Sequence, residues 1–145
     1  MVAKTMDVPI AVLDSWKQRK QQIFPAESFA PIMASVADPL LFRGRDVLWF
    51  IDNEAAASTI IRGATREEDV QGIAELTQFF WASLRCRVWI EWIDSDSNPS
   101  DGLSREGLLC EWCSSRGVKP EVATPPAWSS PSVMLESLIS AVEGK

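Results

Sequence analysis

The sequence predicts an α/β fold with a parallel sheet packed between helices, and three observations predict it. Val47 to Ile51 are five consecutive large apolar residues that end abruptly in Asp52 and Asn53, Arg87 to Ile93 form a second run rich in β-branched and aromatic residues, and the chain between them has helical periodicity. An unalternating run such as Val47 to Ile51 reads as a strand buried on both faces, as in a parallel sheet covered by helices. Two strands joined by helices imply a parallel, right-handed crossover. Ligands in open α/β sheets bind at the carboxyl ends of strands, which gives Asp52 a position suited to chemistry. The alternative reading is that Asp52 or Asn53 caps the following helix.

Residues 3 to 9 suit a short strand ending at Pro9, and Ile10, Val12, Leu13 and Trp16 are spaced for a short amphipathic helix or loop. From Gln22 to about Ala37 the pattern is helical, with Pro25 in the first turn, Glu27 in the amino-terminal turn and an apolar face of Phe29, Ile32, Met33 and Val36. Glu27 has a simple role there, since negative charge favours the start of a helix. Pro31 should kink or break this helix, Asp38-Pro39 should end it, and Arg43-Gly44-Arg45 should turn the chain into the central strand. A helix from about Glu54 to Arg62 should stop at Gly63. Thr65 with Glu68 fits a capping box, opening a helix that should reach about Arg85. After the second strand, Asn98 suits a helix cap, Pro99 the first helical position and Asp101 the first turn, which delivers Asp101 near the sheet edge that carries Asp52.

Cys110-Glu111-Trp112-Cys113 lies on or just after that helix, and with no histidine and three cysteines in the chain it reads as two small buried thiols in preference to a closed zinc site. The expected organisation is a domain over residues 1 to 116, a proline-rich linker over 117 to 131, and a carboxyl-terminal amphipathic helix over 132 to 145. That last helix presents Val133, Leu135, Leu138, Ile139 and Val142, for packing on the domain or docking on a partner.

A hydrophobic content of 46% is enough for a real core in 145 residues. The amino terminus does not resemble a signal peptide and no apolar run reaches membrane-spanning length, so the expectation is a soluble intracellular protein with no membrane span. The net charge of −6 argues against holding nucleic acid by bulk electrostatics, so such a partner would need local basic groups or bridging cations. With no histidine, histidine-dependent nucleophilic catalysis and histidine zinc sites are excluded, which leaves carboxylates and bound cations as the tools of any enzyme. Glu27, Asp52 and Asp101 come from a helix start, a strand end and a later helix start. Gathered at one sheet edge they would repel one another unless cations bound between them, as two-metal phosphoryl chemistry requires.

Gln21-Gln-Ile-Phe-Pro-Ala-Glu27, Arg43-Gly-Arg-Asp-Val-Leu-Trp-Phe-Ile-Asp-Asn-Glu-Ala-Ala56, Ile61-Arg-Gly-Ala-Thr65 and Trp92-Ile-Asp-Ser-Asp-Ser-Asn-Pro-Ser-Asp-Gly-Leu-Ser-Arg105 together resemble the ribonuclease H-like domain attached to retrotransposon reverse transcriptases. The resemblance spans about residues 5 to 112. It implies a ribonuclease H-like three-layer fold, here an incomplete mixed sheet flanked by helices with a carboxyl-terminal helical tail. It also implies hydrolysis of RNA in RNA–DNA hybrids, with two Mg²⁺ or Mn²⁺ ions on Glu27, Asp52 and Asp101. Asn53 and Arg105 are further candidate nucleic-acid contacts, and Lys17, Arg19 and Lys20 form a small basic cluster that reads either as another such contact or as plain solvated surface. The family carries a further aspartate on a first, central strand that has no counterpart here, since Asp7 and Asp14 are the only acids before Glu27 and neither sits in a convincing strand. Two other readings therefore stand beside the nuclease: a non-catalytic relic without bound metal serving as a structural or protein-binding subunit, and a nucleic-acid-binding module without hydrolysis. The absent strands would leave one edge of the central strand open, to be covered by the chain's first residues, a second copy or another protein.

Overall fold

Strand β2 (Asp46–Ile51) and strand β3 (Arg87–Trp92) pair in parallel and in register from Asp46 beside Arg87 to Ile51 beside Trp92. The computed structural model describes residues 1–125, 127–128 and 131–144. The crossover between these strands consists of α4 (Glu54–Arg62) and α5 (Glu68–Ser83), as the periodicity predicts. Asn53 caps α4 by accepting from the Ala56 N–H at 2.9 Å, and Gly63 ends it with φ +64. A side chain at Gly63 would be strained there, and its Cβ would meet the Gln78 amide at 2.9 Å.

Ahead of the sheet lie β1 (Lys4–Thr5), α1 (Ile10–Ser15), α2 (Ile23–Ala37) and a single turn, α3 (Pro39–Phe42). Of the kink or break expected at Pro31, the break does not occur: α2 runs through it, with Pro31 buried in the core and the Ser35 hydroxyl donating to the Pro31 carbonyl at 2.7 Å. Ser35 in turn accepts from Trp81 Nε1 at 2.8 Å, so the buried polar groups on this contact satisfy each other. The capping box also fails to form. Glu67 stands at the cap of α5 and its side chain makes no capping bond, while Thr65 is held by Gln71, whose Oε1 accepts from the Thr65 N–H at 2.8 Å.

After β3 come a short 3₁₀ turn (Ser95–Ser97), α6 (Pro99–Glu106), α7 (Glu111–Ser115), β4 (Glu121–Val122) and α8 (Pro131–Glu143). β4 pairs in parallel with β1, so the stretch expected as a linker carries a strand and also buries Trp128, whose ring packs edge-on to Phe29 with centroids 5.5 Å apart. On α8, Met134 and Leu138 are buried while Leu135 and Ile139 remain largely exposed, so the helix packs on the domain with a narrower face than its apolar content suggests.

The main core joins α2, α4, α5 and α8 through Phe29, Ile32, Ile60, Phe80, Trp81 and Leu138, and Val47, Trp49, Val88 and Ile90 of the sheet pack against it. A smaller core under α6 holds Leu103, Cys110 and Cys113, and both thiols are buried as expected. The reading of β2 as covered on both faces is overturned. Leu48 is 57% exposed, Phe50 49% and Trp89 68%, so helices cover only the face of Val47, Trp49, Val88 and Ile90. Uniform apolarity removes the alternation that would have distinguished a one-sided strand from a two-sided one. Among the described residues no helix is long and apolar enough to cross a membrane.

Candidate functional site at the carboxyl ends of the strands

Ile51 is the last residue of β2 and is buried, so the chain must leave the sheet at Asp52 and turn into α4. The two polar residues at this corner divide the work. Asn53 satisfies the helix, and Asp52 is left half-buried facing a groove. The backbone carbonyl of Asp52 accepts from Trp92 Nε1 at 3.1 Å, which ties the ends of the two strands together.

The groove has a volume of about 550 Å³ and is lined by Glu27 and Ala30 of α2, by Leu48 through Asp52, and by the segment that follows β3, including Ser97 and Asn98. Asn98 caps α6 by accepting from the Ser100 N–H at 3.1 Å, with Pro99 at the first helical position, as the motif predicts. Asp94 does the same for the preceding turn, accepting from the Ser97 N–H and the Ser97 hydroxyl, both at 3.0 Å. These local caps fix where α6 begins, and with it Asp101 in its first turn.

Glu27 lies close enough to Asp52 and to Asp101 to feel the charge of each. Burial lifts the Glu27 carboxyl above the ordinary glutamate range, and the negative charges of Asp52 and Asp101 lift it further. Asp101 also pairs with Arg105 one turn along α6, at 3.3 Å. The donor set is all carboxylate oxygen, which suits hard divalent cations. Among the described residues, no group of three acids or thiols is drawn together tightly enough to grip a single ion.

The basic cluster goes elsewhere. Arg19 donates to both carboxylate oxygens of Asp69, at 2.7 and 2.6 Å, and to Glu67 at 2.9 Å, which fastens the segment after α1 to the start of α5. The Lys17 N–H donates to Asp69 as well, and its ammonium lies 3.7 Å from Glu67, whereas Lys20 is exposed. Arg19 is thus bound up in a structural contact some distance along the chain from the carboxylates. Asp7 lies in the loop before α1 and Asp14 within α1, both exposed and neither on a strand beside β2.

Sequence reasoning did not find the bare apolar face of Leu48, Phe50 and Trp89, or the groove along β2. The available signal was the tryptophan content of β3, where a strand covered on both sides has little room for Trp89 and Trp92. The chain's first residues were one candidate to cover the open edge of β2, but they pair with β4. Compared with known protein families, with curated proteins and with solved structures, the chain matches none of them.

Proposed function

We propose that the chain is a ribonuclease H-like module in which Glu27, Asp52 and Asp101 bind Mg²⁺ or Mn²⁺ beside the backbone of an RNA–DNA hybrid, for hydrolysis of the RNA strand. The observation that carries this reading is the placing of Glu27 beside Asp52 in the groove at the carboxyl ends of the strands, where burial first, and then the charges of Asp52 and Asp101, raise the Glu27 carboxyl. Magnesium keeps several of its waters and is usually held by one or two carboxylates together with substrate phosphates. A Glu27 carboxylate that feels both Asp52 and Asp101, with no three acids converging on a point among the described residues, fits that mode of binding. When bound, such cations activate a water and steady the leaving oxygen of a phosphodiester. The chain's own residues hold the geometry: Asn53 and Asn98 anchor the helix starts beside Asp52 and Asp101, and Arg105 restrains Asp101.

A second reading, a non-catalytic subunit of a larger assembly, is favoured by a different observation. Among the described residues no strand pairs with the second edge of β2, and one face of its sheet is exposed and apolar. One experiment separates the two. The purified chain is incubated with a labelled RNA–DNA hybrid and Mg²⁺ or Mn²⁺, and its melting temperature is followed in parallel. Cleavage that is lost in Asp52→Asn, with a cation-dependent rise in melting temperature, is the expected outcome, because an ion bound only by the folded form raises its stability. No cleavage and no cation-dependent rise would leave the subunit reading in its place.

A further inference from the structure

β2 pairs with β3 along one edge, and among the described residues no strand pairs with the other. The groove runs along β2 from Leu48 to Asp52 and on to the segment after β3. Its wall takes Leu48 through Asp52 in succession. Successive residues of a strand point to opposite faces, so a wall that uses all of them is the edge itself. An edge strand offers a row of backbone donors and acceptors to any extended chain, and proteins usually blunt it with proline, lysine or a bulge. Asp46–Ile51 has none of these: its one charged side chain, Asp46, is held on its own sheet by Arg87 at 2.6 and 2.9 Å. Exposed Leu48 and Phe50 border the edge and continue into Trp89.

Charge along this edge is polarised. Arg45 precedes β2, is exposed, and forms no ion pair among the described residues, while Asp52 follows β2 with Glu27 beside it. A second β2 laid parallel would set like charge beside like. Laid antiparallel, it sets each Arg45 beside the other copy's carboxylates, twice by symmetry, which is the property of a self-complementary two-fold contact. The two faces of the joined sheet must also match, so the axis can pass only through Leu48 or Trp49 near the middle of the strand. An axis at Trp49 puts Asp46 opposite the partner's Asp52. An axis at Leu48 puts Val47 opposite the partner's Trp49, Leu48 opposite the partner's Leu48, and no carboxylate opposite another.

We propose that a second copy of this chain adds its β2 antiparallel to the free edge of β2 about a two-fold axis at Leu48, bringing the partner's Arg45 to the carboxylate rim. Arg45 shares its face with Val47 and Trp49, the face packed on the same core as α2, so it arrives on the side where Glu27 stands. The inference uses only the charges of Glu27 and Asp52 and does not depend on nuclease activity.

Sedimentation of the full chain tests it. The apparent mass should rise from 16.1 kDa towards twice that value as concentration increases. Arg45→Asp and Glu27→Arg should each hold the chain at monomer mass, and an equimolar mixture of the two should recover the dimer, because both contacts of the mixed pair are again opposite in sign. Directly opposed residues of antiparallel strands have Cα atoms about 4.5–5.5 Å apart, within reach of a disulfide. Leu48→Cys should therefore link two copies under oxidised glutathione while Phe50→Cys, which faces the partner's Asp46, should not. Circular dichroism confirms that each variant is folded, and if the charge reversals unfold the chain the cysteine pair decides alone. Monomer mass at every concentration, or the absence of the Leu48→Cys link, would overturn the proposal.

Discussion

Removing the charge of Asp69 should weaken the fold by an amount the structure itself sets. Asp69 accepts from Arg19 at 2.7 and 2.6 Å and from the Lys17 N–H at 2.9 Å, and its side chain is only 13% exposed. Chiefly through the Arg19 bonds, opposed in part by burial, its carboxyl is held down at about 2. The ordinary value is 3.8. At about 1.4 kcal/mol per unit this difference corresponds to an upper limit of about 2.5 kcal/mol. A carboxyl whose folded value is depressed contributes fully above its unfolded value and loses that contribution as pH falls through the folded one, so the window runs from about pH 4 down to about pH 2. Asp69→Asn keeps the shape and removes the charge, leaving Arg19 with Glu67 alone. Urea melts at neutral pH should show a loss of about 2 kcal/mol, or roughly 5 °C in melting temperature for a chain of this size. Repeated between pH 4 and pH 2, the melts should show a steep fall in stability for the native chain and a shallower one for the variant. Equal stability and equal pH slope in the two proteins would refute the structural role of this ion pair and return Arg19 to the surface cluster.

Two further outcomes follow from the carboxylate rim. Because burial and two neighbouring charges raise the Glu27 carboxyl, the folded chain carries a penalty above that raised value which is relieved as pH falls through it; Glu27→Gln should raise the neutral-pH melting temperature in chelator, read by calorimetry, and abolish the rise that the proposed cation binding predicts with Mn²⁺. A divalent cation and the partner's Arg45 would occupy the same carboxylates, so sedimentation in excess Mg²⁺ should show a smaller dimer fraction than sedimentation in chelator.

Where local chemistry is decisive, the sequence is legible here. Gly63 ends α4 because few other residues accept a φ of +64, and Asn98-Pro99 starts α6 because an amide acceptor and a missing N–H suit a helix start. Both strands and their parallel pairing were readable from apolar runs with helices between them. The misses share a cause. Leu48 and Phe50 look like core, and only the arrangement of helices decides that one face of the sheet is left bare. Pro31 looks like a break, yet α2 is buried deeply enough for packing to hold it across the lost hydrogen bond. Thr65 looks like a cap, but Gln71 competes for its backbone and wins. Arg19 looks like a solvated cation, because its partners Glu67 and Asp69 lie about fifty positions away along the chain.

The same separation in sequence makes the gathering of Glu27, Asp52 and Asp101 informative. Asp101 has a sufficient local explanation in the first turn of α6 and Asp52 at a strand end, but Glu27 lies past the first turn of α2, which holds no acid, so the helix start expected for it does not account for it. None of those explanations requires the three to share one rim, and stability alone disfavours it, since each carboxylate raises the cost of ionising Glu27. Asn53 already caps α4, so Asp52 is not needed there, and Arg105 offsets only Asp101. What remains is uncompensated negative charge at the edge of a sheet, maintained by elements that are otherwise well satisfied. Local conflict of this kind concentrates at functional sites, where a ligand supplies the missing charge. At this rim the missing charge is positive, and a divalent cation or the arginine of a second copy each meets that requirement from outside the chain.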